Sequence, residues 1–255
     1  MDFTENDLNF FLKLYNENLY VPGSMCSVDM FSLHFALKQI KPKVVIESGV
    51  WHGASTELIR KTVGKDVTII SIDPMEIPPT GWKDTNCNTI YYTGKNFVDF
   101  KNINLDNYNP EEIFAYFDDH QNMVSRIIQC RNKNIRHLLF NDNYPKNCGS
   151  HFTFEHLLND DFRNINTDAR QIINVNKNDN FFKNYNENKK NLLSTTIKKY
   201  HIFPNIYKTK IKTGEGLFDC KYKYDEMNDG KNNFNIFKKH AVSYRWNTYI
   251  EIETV

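Results

Sequence analysis

The sequence predicts an α/β protein built on a doubly wound, mostly parallel sheet, and three observations predict it. Short β-branched or aromatic runs alternate with segments of helical periodicity between residues 44 and 140. The first run, Val44-Val45-Ile46-Glu47-Ser48, ends in Gly49-Val50-Trp51-His52-Gly53 and opens directly into a helix around Thr56-Glu57-Leu58. Successive strand patterns each end on polar or acidic residues, and open α/β sheets place their ligands at the carboxyl ends of the strands.

Composition narrows the class. A chain of 255 residues is long enough to bury a full core, and the economical expectation is a single domain over 1–255. Within it we expect N-terminal helices over 1–41, a cofactor and catalytic core over 42–150, an insertion or lid over 151–235 and closing strands over 236–255. With 32 basic against 31 acidic residues the net charge is +1, so no single-signed field holds nucleic-acid phosphates. The five cysteines show no CxxC pair and read as reduced thiols in a cytoplasmic setting. No uninterrupted apolar run approaches the ~20 residues of a membrane span, so none is expected.

The elements follow in order. Thr4 is placed to cap a helix with Glu5 and Asp7 in its first turn and Leu8, Phe11, Leu12 and Tyr15 at helical spacing. After Val21-Pro22-Gly23-Ser24, a second amphipathic helix carries Met30, Leu33, Leu37 and Ile40, with His34 expected on its surface. Val67 to Ile72 is the second strand and closes on Asp73-Pro74. Thr89-Ile90-Tyr91-Tyr92-Thr93 is the third, and Ile113-Phe114-Ala115-Tyr116-Phe117 is the fourth, running into Asp118-Asp119-His120. A helix over Gln121 to Arg131 leads to the fifth strand, His137-Leu138-Leu139-Phe140, which closes on Asn141-Asp142-Asn143-Tyr144.

Beyond His151 the alternation blurs. A short helix is expected from Phe152, Phe154, Leu157 and Leu158, another over Leu192 to Tyr200, a turn at Gly214-Glu215-Gly216 and a strand over Lys208 to Lys212. His240 to Trp246 and Thr248 to Ile252 are expected to form a C-terminal antiparallel hairpin about Asn247. Enough aromatics lie between these segments for an ordered insertion or lid.

The chemistry concentrates at strand ends. Glycine permits positive φ and close backbone approach, so Gly49 and Gly53 mark a tight turn of nucleotide-site type. The spacing is neither the GxGxxG of dinucleotide folds nor a phosphate-binding loop ending in Gly-Lys-Ser/Thr. Asp73 follows at close to the ~20-residue separation at which such folds present a carboxylate to ribose hydroxyls. Two carboxylates beside an imidazole after strand four, with another acid after strand five, suit a hard divalent ion such as Mg²⁺ or Mn²⁺. His120 is a candidate general base, since the unperturbed pKa of an imidazole, about 6.5, lies near neutral pH, whereas Asp118 also suits a helix cap.

An acid followed by GxxxG, a ribose acid, Asp-His after strand four and acids after strand five resemble the class I, Rossmann-like methyltransferases that use S-adenosylmethionine (SAM). Within them, the pattern over roughly 27–150 resembles the metal-dependent sugar O-methyltransferases of the macrocin and mycinamicin type and the cephalosporin-hydroxylase-like group. Similar domains occur as glycan methyltransferases of large DNA viruses, which would place such a protein in a host cytoplasm. The resemblance implies SAM binding by Glu47, Gly49, Gly53, Ser55, Thr56, Asp73, Asn96 and Asp118. It implies Asp119 and His120 as catalytic residues, His120 being the base, and Asp119, Asp142 and Asn143 as metal ligands. Asn141 departs from the family's usual acid. Trp51 and Tyr144 are candidate stacking platforms for a sugar.

The expected activity is therefore methyl transfer to a hydroxyl of a small-molecule or glycan acceptor, a sugar such as rhamnose foremost. A non-sugar acceptor, or a non-catalytic methyltransferase-like subunit or glycan-binding module, is the alternative.

Overall fold

A computed structural model describes residues 3–15, 19–85, 88–159, 180–203, 232–241 and 245–254. The expected Gly214-Glu215-Gly216 turn and Lys208 to Lys212 strand lie outside the described residues, as do Cys87 and Cys220. Cys26, Cys130 and Cys148 carry no disulfide. Among the described residues no helix is long and apolar enough to cross a membrane.

Among the described residues, seven strands form one sheet in the order β3-β2-β1-β4-β5-β7-β6. Five of them, β1 (Val44–Ser48), β2 (Thr68–Asp73), β3 (Thr89–Thr93), β4 (Ile113–Phe117) and β5 (His137–Phe140), are parallel and fall where the apolar runs predict. Their order is that of a doubly wound nucleotide-binding sheet, with the topological switch between β1 and β4. The last strand, β7 (Thr248–Ile252), runs antiparallel to both β5 and the edge strand β6 (Ile197–Ile202).

Both faces are covered, which is why β1, β2 and β4 are buried along their whole length instead of alternating with water. Val45, Ile69, Phe114, Tyr116, Leu139 and Tyr249 face a layer made by α1 (Glu5–Leu14), α2 (Ser27–Ile40), α3 (Ala54–Val63) and α7 (Asn232–His240). Ile46, Ile70, Ala115, Phe117, Leu138 and Ile250 face α4 (Met123–Asn132), α5 (Phe154–Leu158) and α6 (Asn180–Thr196). Each fully buried apolar side chain contributes about 1.5–3 kcal/mol, so the alternation along each strand is what fixes its register.

Local signals explain the first helices. The Thr4 hydroxyl accepts from the Asp7 amide while the Asp7 carboxylate takes the Thr4 amide, a reciprocal cap on α1. The second helix stops at Lys41, which takes the left-handed conformation at φ 52 just before Pro42.

Three expectations are corrected. His34 is not at the surface: it is 2% exposed, its Nδ1 lies 2.9 Å from Thr62 Oγ1, and Phe10 stacks on its ring. Burial pushes its pKa down to about 4, so it packs as a neutral ring. The helix expected over Leu192 to Tyr200 ends at Thr196, and Ile197 to Ile202 is instead the strand β6. The C-terminal antiparallel pair is present, but the partner of β7 is β6; His240 closes the helix α7.

Candidate active site

Backbone hydrogen bonds stitch the strand ends together across the switch point. The amides of Gly49, Asp118 and Asn141 donate to Ile72, Ser48 and Phe117, the last or next-to-last residues of the neighbouring strands. The β1 turn therefore sits directly beside the acids that follow β4 and β5.

Within that turn Gly49, Trp51 and Gly53 all have positive φ, at 98°, 47° and 78°. A Cβ on Gly49 would collide with the backbone carbonyl of Asp118, and one on Gly53 with that of Trp82. The glycines are thus required by the approach of the chain's own backbone. Trp82 belongs to the segment after β2 that folds over the turn, and its amide donates to the His52 carbonyl at 2.8 Å.

Asp73 closes this turn from β2. Its Oδ2 accepts from the Val50 and Trp51 amides, both at 2.8 Å, and its Oδ1 accepts from the Met75 amide. A carboxylate offers about four acceptor positions, so one remains for a ligand hydroxyl. Glu47 is fully buried; its Oε2 accepts from Thr56 Oγ1 at 2.6 Å and Ser71 Oγ at 2.9 Å, and its Oε1 has no hydrogen-bond partner. Burial raises its pKa to about 7 against the lowering effect of Ser55, Thr56 and Ser71. Asn96 lies in an exposed 3-10 turn after β3. Trp51 is partly exposed at 39%, edge-on to His52.

The second half of the site is an acid cluster. Asp118, His120 and Asp142 each offer one ligand atom, and these atoms lie within 4.8 Å of one another. His120 Nε2 is 3.9 Å from Asp118 Oδ1 and 3.7 Å from Asp142 Oδ2. Both His120 and Asp142 have positive φ, 54° and 61°, a conformation costly for non-glycine residues and concentrated at functional sites. Burial, then the Asp142 charge, holds Asp118 well above the carboxylate range. Asp142 is raised by burial too, against the opposing Arg245 guanidinium, whose Nη1 is 3.5 Å from Oδ1.

This cluster revises two ligand expectations. Asp119 turns away: its Oδ2 accepts from Ser48 Oγ at 2.7 Å and from Arg126 Nε at 2.9 Å, in a bridge that Asp99 shares. Its neighbour Asp118 occupies the cluster in its place, because consecutive residues leaving a strand project to opposite sides. Asn143 also turns away, with its amide nitrogen donating to Tyr200 and Thr248 and its oxygen accepting from the Glu155 amide.

The residues present fit a divalent cation. Two carboxylates that disfavour joint ionisation form an oxygen donor pair suited to Mg²⁺ or Mn²⁺, with the imidazole standing beside it. Asn141 Oδ1 is a buried oxygen acceptor without a hydrogen-bond partner, which a cation or a donor group would satisfy, whereas Asp142 Oδ1 faces the Arg245 guanidinium. Asn141 also donates to Asp118 Oδ1 at 3.2 Å, a donor that an ionised acid could not supply.

Several residues at the site escaped the sequence reading. Arg245 reaches Asp142 and donates to the Tyr144 hydroxyl from 101 residues away. Tyr144, already expected as a stacking platform, is half-buried and edge-on to both His151 and Trp246. Asp29, on α2, is buried with Oδ1 unpartnered, and its pKa rises to about 7 through burial. No spacing rule links these positions, since only the packing of α2 and β7 against the strand ends brings them near.

No protein-family model matches the chain, and no curated protein matches it. Among solved structures, an O-methyltransferase from Bacillus cereus in complex with S-adenosylhomocysteine (SAH) is 11% identical, with 99% of this chain and 92% of that chain covered at a TM-score of 0.43. An SAH-bound methyltransferase from Podospora anserina is 11% identical, with 80% and 93% covered at 0.42. A cyclopropane-fatty-acyl-phospholipid synthase-like protein from Lactobacillus casei is 11% identical, with 99% and 100% covered at 0.41.

Proposed function

We propose that this protein is a SAM-dependent O-methyltransferase acting on a hydroxyl of a sugar or glycan. The observation that carries the reading is the contact of Gly49 with the Asp118 carbonyl across the β1–β4 switch point. It joins a nucleotide-type turn to an acid cluster at the position where doubly wound sheets hold their ligands.

On this reading the turn residues Gly49, Gly53, Ser55 and Thr56, with Glu47, Asp73 and Asn96, form the cofactor side. When bound, SAM supplies an electrophilic methyl group. Asp118 and Asp142, with the Asn141 oxygen, would hold Mg²⁺ or Mn²⁺, which would lower the pKa of an acceptor hydroxyl. His120 stands on the open side of the cluster, 53% exposed at its side chain, and accepts the hydroxyl proton at Nε2. Sugar hydroxyls have high pKa values, so they are the acceptors for which metal and base together matter most. Trp51 and Tyr144 flank the two halves and offer aromatic faces to a sugar ring.

Calorimetry with SAM, SAH and NAD, followed by a screen of mono- and oligosaccharides for conversion of SAM to SAH with Mg²⁺ or Mn²⁺, tests the proposal. Binding of SAM and SAH with turnover on a sugar is expected. Binding of NAD without SAM, or SAM binding without turnover on any hydroxyl acceptor, would overturn it.

A further inference from the structure

Behind His120 stands a chain of polar groups that neither the cofactor side nor the acid cluster accounts for. His120 Nδ1, the ring nitrogen turned away from Asp118 and Asp142, lies 3.3 Å from Ser150 Oγ. The same hydroxyl lies 3.4 Å from Nδ1 of His151. The two imidazoles meet edge to face, with centroids 5.5 Å apart at 81°. His151 is only 4% exposed, whereas His120 is open to solvent.

A hydroxyl has one proton to give, so this chain runs in one direction at a time. Run from His151 toward His120, it would place a proton on His120 Nε2, facing carboxylate oxygens 3.7 Å and 3.9 Å away, beyond hydrogen-bond reach. Run the other way, His120 Nδ1–H donates to Ser150, Ser150 donates to the neutral His151 ring, and the Nε2 lone pair faces the cluster. Only the second direction leaves Nε2 with a lone pair, as a base acting at that nitrogen requires.

We propose that Ser150 and His151 are positioning residues that hold His120 as its Nδ1–H tautomer, keeping Nε2 available on the side where the acceptor hydroxyl binds. The proposal rests on His120 being the base of the methyl transfer. It follows the general rule that the function of one imidazole nitrogen is set by the hydrogen bond the other makes. Ser150 is exposed, so its hydroxyl can be removed without opening a cavity.

Long-range ¹⁵N–¹H spectra of the full-length protein, with the His120 signals assigned by their loss in His120→Gln, report the tautomer directly. The wild type should show His120 as Nδ1–H, Ser150→Ala should convert it to a mixture or to Nε2–H, and Ser150→Thr should restore it. In turnover, Ser150→Ala should lower kcat about 10- to 100-fold, the range for losing the partner that orients a functional imidazole, with KM for SAM little changed. His151→Gln, which keeps an acceptor, should lose less than His151→Phe. An unchanged His120 tautomer in Ser150→Ala, or no restoration by threonine, would overturn the proposal. The spectra need no methyl donor, so they decide the positioning role even if the proposed activity fails.

Discussion

Asp119 and Arg126 form a two-point ion pair, with Nε at 2.9 Å and Nη2 at 2.8 Å from the same carboxylate oxygen. Both side chains are nearly buried, at 11% and 6% exposure, and the pair anchors the start of α4 to the exit of β4. Asp119→Asn leaves the buried guanidinium with Asp99 and the Gln129 amide oxygen but without its second carboxylate, so it should cost about 2–4 kcal/mol in urea denaturation. Its Mn²⁺ affinity should stay at the wild-type level. Loss of Mn²⁺ binding at unchanged stability would return Asp119 to the ligand set.

The reverse outcome is expected for Asp142. Asp142→Asn removes a buried charge from the cluster and should weaken Mn²⁺ binding by more than the ~10- to 100-fold that losing an outer partner costs. Excess Mg²⁺ should recover part of the turnover, with KM for the acceptor raised. Calorimetry with Mn²⁺ alone checks the first point, and steady-state kinetics the second.

His120→Ala should leave SAM affinity nearly unchanged and lower kcat by about 10²- to 10⁴-fold, the range for losing a positioned base. A near-normal kcat across pH 6 to 9 would remove His120 from the chemistry.

Gly49 and Gly64 separate two effects of a left-handed backbone. Both have strongly positive φ, 98° and 83°, but only Gly49 faces another backbone, while nothing lies within 4 Å of a Cβ at Gly64. Gly64→Ala should cost about 1–3 kcal/mol from strain alone. Gly49→Ala should cost about 2 kcal/mol more because the Asp118 carbonyl cannot yield without moving β4. Equal losses in chemical denaturation would show that the close approach across the switch point is not rigid.

Glu47 makes stability depend on pH in a defined direction. Its folded pKa is raised to about 7, so the folded state holds this proton where the unfolded chain has released it. The contribution is fully present below about pH 4 and is lost as pH rises through about 7, a change of about 3 kcal/mol. Glu47→Gln carries no such proton and should flatten that part of the curve. Urea midpoints at pH 4.5, 6, 7 and 8 for both proteins check it, and parallel curves would disprove the assignment.

The five parallel strands were legible because each is a short apolar run buried on both faces, a pattern that needs no knowledge of distant residues. Strand β6 was not, because Lys198 and Lys199 interrupt Ile197 to Ile202 and helical residues precede it without a break. It is an edge strand, and charged residues are tolerated at a sheet edge that faces water. The reading of His240 to Trp246 as a strand failed at His240 for a related reason. The Tyr15 hydroxyl meets its Nδ1 at 2.9 Å and ties the end of α7 to α1, a contact 225 residues apart in sequence.

At the site, the amino-acid sequence by itself determined the sheet order's parallel core, the glycine turn after β1 and the presence of acids and an imidazole after β4 and β5. These follow from local periodicity and from the rule that strand ends carry ligands. Only the tertiary structure decided which of two adjacent aspartates enters the cluster. The exit geometry of β4 and the position of Arg126 on α4 direct Asp119 one way and Asp118 the other. It likewise decided that Asn143 serves Tyr200, that Arg245 reaches Asp142, and that Ser150 and His151 stand behind His120. Those choices depend on side-chain direction and on long-range packing, and a linear spacing carries neither.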